Sequence, residues 1–405
     1  MFKKTFFLII IGSIVLSCSK KDVFNDEVPN LIIPIAKCEN GFADEYPCND
    51  YDLLTYIPLE DLNNSDKGND SWGWVDPLTN KEYALICTNK TVAFIDITDP
   101  SKAEILGYLN TQTVNSTWRD VKVFNDHAYI VSEASGHGMQ IFDLKRLRNV
   151  DNPPKTFSVD NLYTDFGNAH NIIINEDSGF AYALGTSTFS GGPHFININN
   201  QPDAIAEGGY ANDAYSHDAQ VVIYKGPDTD YTGKEILIGS NENEVVIVDV
   251  TDKANPIKIS SISYSNIGYT HQGWFTEDFK YFILGDELDE IRFGGNTRTI
   301  VFDFTDLDNP VHHLNYIGVT EAIDHNGYVS GNTYFQANYT AGVRMIDISN
   351  IENKTLNEVG FFDTYPENNN ASFNGAWNVY PYLPSGNIIV SDINKGLFVI
   401  RKSGT

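Results

Sequence analysis

The 405-residue sequence predicts an all-β protein, a seven-bladed β-propeller closed by an N-terminal strand that completes the last blade. Three observations carry that prediction. A unit of four short apolar runs recurs seven times, no helical period separates the runs, and an unpaired strand stands ahead of the first copy. Composition agrees with them. The 22 Tyr and 24 Phe, in a chain that is 41% hydrophobic, suit packed β structure rather than a disordered chain.

The most regular part of each copy is an apolar strand that closes on Asp or Asn before a polar turn. It reads AFIDITDP (93–100), MQIFDLKRL (139–147), HFININNQP (194–202), VVIVDVTDKANP (245–256), IVFDFTDLDNP (300–310) and RMIDISNI (344–351). A seventh run, GLFVIRK (396–402), matches without the turn. A second apolar run precedes each of these, from YALIC (83–87) to NIIVSD (387–392), and a further strand precedes that one, as in HNIIIN (170–175). The last copy lacks a fourth strand. Residues 51–59 (YDLLTYIPL) form a strand without a blade, so pairing the two closes the ring and removes the open edge. An open solenoid would leave both unpaired.

The chain starts with Lys3 and Lys4 before an apolar run from Phe6 to Leu16, too short for a comfortable membrane span. Val15-Leu16-Ser17-Cys18 resembles the bacterial lipobox. That resemblance implies a signal peptide over 1–17, lipidation of Cys18, and a lipoprotein of the outer membrane, exposed at the cell surface. Residues 18–50 read as a polar tether followed by a short loop between Cys38 and Cys48, a disulfide in an oxidising compartment. The propeller is expected over 51–405. Cys87, in an apolar run, reads as a small buried hydrophobe. A formal charge of −27 disfavours nucleic acid and leaves acyl chains, not a basic patch, to hold the chain to a membrane.

Several longer segments, among them WRDVKVFNDHAYIVSEASGHGMQIFDL (118–144), YTHQGWFTEDFKYFILGDELDE (269–290) and GAWNVYPYLPSGNIIVSDINKGLFVIRK (375–402), resemble the choice-of-anchor B family, whose propeller is built from LVIVP-type repeats. The likeness runs from Cys38 to Lys402. It implies surface attachment by an anchor, a role filled here by the lipobox, and brings no enzymatic activity with it.

Aligned on their first residues, the innermost strands give a column of Trp74, Asp120, His170, His217, His271, His325 and Trp377. The four His lie 47, 54 and 54 residues apart, one repeat each, in a chain with only 9 His. On a common axis they are candidate ligands for one divalent transition metal, with Asp120 a further candidate. Glu133, Asp218, Glu242, Asp286, Glu287 and Asp324 flank the column as supporting carboxylates. Neutral imidazole with carboxylate backing suits Zn, Fe, Cu or Ni. The same His can instead hydrogen-bond between blades, spread by duplication without a site, or serve metal-free catalysis. A metal on this axis invites comparison with carotenoid oxygenases, which hold iron by four His in a seven-bladed propeller, though no motif of that family occurs here.

The expected function is therefore an envelope-anchored binding module for a protein or glycan ligand, and the competing class is a metal-dependent hydrolase or oxidase. All five Trp fall near inner-strand starts, so Trp74 and Trp377 form a candidate aromatic face for sugars. Other signals are local. The glycine pair in RFGGN (292–296) reads as a turn, the turn at Asp249-Val250-Thr251-Asp252 as an Asx turn, and His312-His313 has no positional partner. No nucleophile elbow, P-loop or HExxH is present.

Overall fold

The computed structural model describes residues 34–405. The expected signal peptide, the lipidation site Cys18 and the first part of the tether lie outside the described residues. The described chain forms seven sheets, antiparallel but for one added edge strand, and the protein is a seven-bladed β-propeller. Inner strands follow one another around the axis: Gly68–Val75, Arg119–Phe124, Asn171–Asn175, Asp218–Ile223, Thr270–Phe275, Gly327–Ser330 and Ala376–Tyr380, in blades 1 to 7.

The repeated Asp has a local cause. In each case its carboxylate, or an Asn amide oxygen, accepts the backbone N–H two residues on. Thr98 N donates to Asp96, Lys145 N to Asp143, Asn199 N to Asn197, Thr251 N to Asp249, Thr305 N to Asp303 and Ser349 N to Asp347, all at 2.8–3.1 Å. An Asx turn ends the third strand at low entropic cost and satisfies a backbone donor. Second and third strands are continuous apolar runs because the neighbouring blades cover both of their faces. Glu82–Thr88 and Glu235–Ser240 are buried along their whole length.

Blade 7 is closed from the other end of the chain. Tyr51–Pro58 pairs antiparallel with Gly396–Lys402, from Tyr51 opposite Lys402 to Pro58 opposite Gly396. Leu53 is 2% exposed, pairs with Ile400 and belongs to the buried cluster that also holds Phe398 and Phe362. Between blades 7 and 1, Gly68 N donates to Ile393 O at 2.9 Å and Asn378 Nδ2 to Ser71 O at 2.7 Å.

Two extensions depart from the simple repeat. Cys38 and Cys48 are disulfide-bonded, and their loop does not stand ahead of the propeller. Tyr46–Asn49 instead adds to the outer strand of blade 6, Thr355–Phe362, and Phe42–Ala43 adds to it in turn. Blade 1 gains Lys155–Phe157 as a parallel edge strand, drawn from the connection inside blade 2. The glycine pair Gly294-Gly295 ends a one-turn helix, Asp289–Phe293, using positive φ values that glycine adopts without strain.

Removing the closing strand's packing should cost as a core cavity does. Leu53→Ala is expected to lower the unfolding free energy by about 2–4 kcal/mol, measured by denaturant titration. Val359→Ala, at a site 45% exposed, should change it by less than about 0.5 kcal/mol. Equal effects would contradict closure through Leu53.

Candidate functional site

The four column histidines do meet, as an arc. His170, His217 and His325 share one anchoring: their backbone N–H groups donate to Leu184 O, Ser240 O and Ala337 O of the adjacent second strand at 2.8–3.0 Å. His271 sits at the same level inside a bulge between Thr270 and Gln272. Ring centroids from His170 to His217, His217 to His271 and His271 to His325 are each 4.3 Å apart. Trp377 continues the arc, 4.7 Å from His325. Imidazoles 47 to 54 residues apart therefore lie in contact, blade after blade.

The arc stops at blades 1 and 2, where the register corrects the sequence alignment. Val121 N donates to Asp70 as Ile172 N donates to Asp120, so Asp70 and Asp120 are equivalent. The level of the His is then held by Asn69 and Arg119, and Arg119 N donates to Asn69 Oδ1 at 3.0 Å. Asp120 lies one residue deeper along the channel. Its oxygens are taken by Lys122 Nζ at 2.5 Å and Ile172 N at 2.7 Å, so it is no ligand to a metal on the arc. Trp74 lies near the far end of its strand, 3% exposed, stacked on Tyr83 and donating to Asp126 at 3.2 Å. It shares no face with Trp377, and the pair is not a sugar platform. Among the other indoles, Trp118 is exposed, whereas Trp72 and Trp274 line the channel.

Hydrogen bonding fixes the ring orientations. His217 Nδ1 lies 3.2 Å from His271 O, and His325 Nδ1 lies 2.6 Å from Trp377 O. A carbonyl only accepts, so each Nδ1 carries the proton and Nε2 keeps its lone pair. His170 is held from the other side, its Nδ1 2.6 Å from Glu133 Oε1. Burial pushes His217 and His271 well below the ordinary imidazole range, and neighbouring imidazoles add to the effect. Burial likewise pushes His325 down to about 3. These rings are neutral at pH 7.

Glu287 closes the site from the end of blade 5's second strand. Its Oε2 is 3.7 Å from His271 Nε2 and its Oε1 is 3.6 Å from His325 Nε2. Tyr339 OH donates to Oε1 at 2.7 Å. Burial raises the Glu287 carboxyl above its usual range. Three atoms converge here, one from each of His271, Glu287 and His325. His170 and His217 stay in the arc but outside that convergence.

The remaining flanking carboxylates have other partners. Asp286 accepts from Gly268 N, Tyr269 N and Tyr264 OH, fixing the loop ahead of His271. Asp324 accepts from Asp286 N, Thr299 Oγ1 and Gln336 Nε2. Glu242 is exposed in a left-handed turn bridged by backbone to Thr270. Asp218 faces the channel below the arc, and burial pushes its carboxyl up to about 7. His313 Nε2 donates to Ile351 O and His312 contacts Asn315, both on the outer strand of blade 5, at the edge of the blade away from the channel. Tyr339 escaped the sequence reading although it occupies, after Asn338, the place that Glu242 and Glu287 occupy after Asn241 and Asp286.

The chain matches no family model and, by sequence, no curated protein. Its fold is similar to solved propellers. One is a protein from Bacteroides uniformis described as a candidate 6-phosphogluconolactonase, 13% identical, TM-score 0.53, covering 72% of this chain and 87% of that one. Another, from Lactobacillus plantarum, is 13% identical with a TM-score of 0.52, covering 80% and 88%. The β-propeller domain of Myceliophteria thermophila Cps50 is 9% identical with a TM-score of 0.53, covering 84% and 98%. At such identities the likeness is one of fold.

Beside the arc, His137 is buried with Nδ1 2.9 Å from Gly138 O and Nε2 3.4 Å from Arg119 Nη1. Burial and the guanidinium lower it to about 4. The unfolded chain takes up this proton near pH 6.5 and the folded chain only near 4, so its stability contribution is lost as pH falls between those values. Wild type should therefore lose stability relative to His137→Gln between about pH 6.5 and about pH 4, measured by denaturant midpoints. Parallel profiles would contradict a neutral buried His137.

Proposed function

We propose that this chain is a lipid-anchored envelope protein whose propeller works as a binding module, with one divalent transition metal held by His271, His325 and Glu287. One observation carries the metal reading. The lone pair on His325 Nε2 faces a carboxylate oxygen at 3.6 Å, acceptor against acceptor, in a buried setting. Such a contact is unfavourable unless a proton or a cation lies between the two atoms. A tetrahedral ion with bonds of about 2.0–2.1 Å has ligand–ligand edges of about 3.3 Å. The contacts of 3.6 and 3.7 Å need only small closure to reach that. Trp377 O and Tyr339 OH then play the outer role, orienting His325 and Glu287.

Anchoring rests on the Val15-Leu16-Ser17-Cys18 sequence, and the likeness to the choice-of-anchor B family supports display at the cell surface. An enzyme is the second reading, because two His and one carboxylate leave coordination positions open, as in catalytic zinc and non-haem iron sites.

Protein purified without chelator or affinity tag should contain about one equivalent of a transition metal, and Glu287→Gln or His325→Ala less than about a tenth of an equivalent. Wild type below about a tenth would overturn the metal centre. After cobalt substitution, an azide-dependent change in the visible spectrum would support the enzyme reading, and an unchanged spectrum the structural one. Separately, Cys18→Ser should move the protein from the membrane fraction to the soluble fraction, and continued sedimentation with membranes would contradict the lipid anchor.

A further inference from the structure

Below the arc, the propeller channel widens into a cavity of about 540 Å³ that reaches the exposed turn residues Glu176 and Asp177, at the end opposite the histidines. That volume suits a small organic molecule. Its polar groups are unevenly matched. Asp70, Asp120 and Asp218 are all buried and line it, against one cation, Lys122. Lys122 Nζ is committed to Asp70 Oδ2 at 3.0 Å and Asp120 Oδ1 at 2.5 Å. Among the described residues, Asp218 accepts only from the backbone N–H of Ala219, at 2.6 Å. Asp70 Oδ1 and Asn326 Oδ1 are buried without any hydrogen-bond partner among the described residues. The cavity thus presents buried acceptors without partners and carboxyl groups that outnumber its one cation, a combination a folded chain does not bury without a compensating donor.

Further along the inner strands, the next layer of the channel wall is largely aromatic. Trp72 lies 4.8 Å from Tyr380 and 5.9 Å from Tyr328, and Trp274 lies 4.9 Å from Tyr328. This wall already takes one positive charge, since Lys122 Nζ sits 4.7 Å from the centroid of Trp72. Cations are drawn to such ring faces, and more strongly where water is excluded.

We propose that the central channel binds a small organic ammonium ion, its N–H groups on Asp218, Asp70 and Asn326 and its apolar body against Trp72, Trp274 and Tyr328. An anion would find no free cation, since Lys122 is committed to Asp70 and Asp120, and a neutral apolar molecule would leave the acceptors unmatched. The site lies apart from the metal centre and does not depend on it. The ammonium group can belong to a free amine or to a lysine side chain.

The test is a titration of full-length protein in detergent, following Trp fluorescence, with phenethylammonium, phenethyl alcohol and phenylacetate at constant ionic strength. Phenethylammonium should saturate, with the other two at least about tenfold weaker. Equal responses to all three, or no saturable response to the ammonium, would overturn the proposal. This comparison uses wild type alone and so stands even if a variant misfolds. Asp218→Asn and Trp274→Phe should each weaken phenethylammonium, and Glu287→Gln should not. Unchanged affinity in a folded Asp218→Asn would also overturn the proposal. Nα-acetyl-lysine methylamide binding more tightly than phenethylammonium would assign the site to peptide lysine, and weaker binding to a free amine.

Discussion

Closure of the ring is the constraint on which the rest depends. The seventh blade is left without an outer strand by its own segment, and Tyr51–Pro58 supplies it from more than 330 residues away in sequence. Only then do blades 7 and 1 meet, through Asn378 on Ser71 and Ser385 on Glu82. Contacts so distant in sequence carry a large loop-closure cost, repaid by one contiguous buried surface around the strand. The payoff is positional. Once the ring is shut, one residue per blade is brought to one level, and side chains a whole repeat apart touch at 4.3 Å.

Much of this was legible in the sequence, for physical reasons. Six of the seven repeats mark the strand end by an Asx turn, and a double-faced burial shows as an unbroken apolar run. The arc of four His was legible because identical residues recurred at the repeat length. Its neighbours in blades 1 and 2 were not, since Asn69 and Arg119 do not resemble imidazoles and a bulge between Gly68 and Ser71 shifts the count in blade 1. Alignment on the Trp therefore slipped to Trp74, at the wrong end of the strand.

The supporting acids divided in the same way. Adjacent side chains project to different sides as a strand ends, so Asp286 and Glu287 could not both serve the arc. Asp286 turned to cap the preceding loop and Glu287 went to His271 and His325. Composition counts carboxylates but cannot say which are already matched. Here the loop-capping acids are saturated by N–H groups, Asp120 by Lys122 and Ile172, and Glu287 by a single tyrosine hydroxyl. What distinguishes a candidate site in this protein is unmatched bonding capacity on the axis, not the presence of acid.

The central claim is that ring closure delivers His271, His325 and Glu287 to one point, where we propose that a metal ion is held. Anomalous diffraction from crystals of protein expressed in metal-replete medium tests it most directly. The account predicts a peak within bonding distance of both Nε2 atoms and a Glu287 oxygen. A well-ordered site with no peak there, and with Glu287 turned away from both rings, would contradict it.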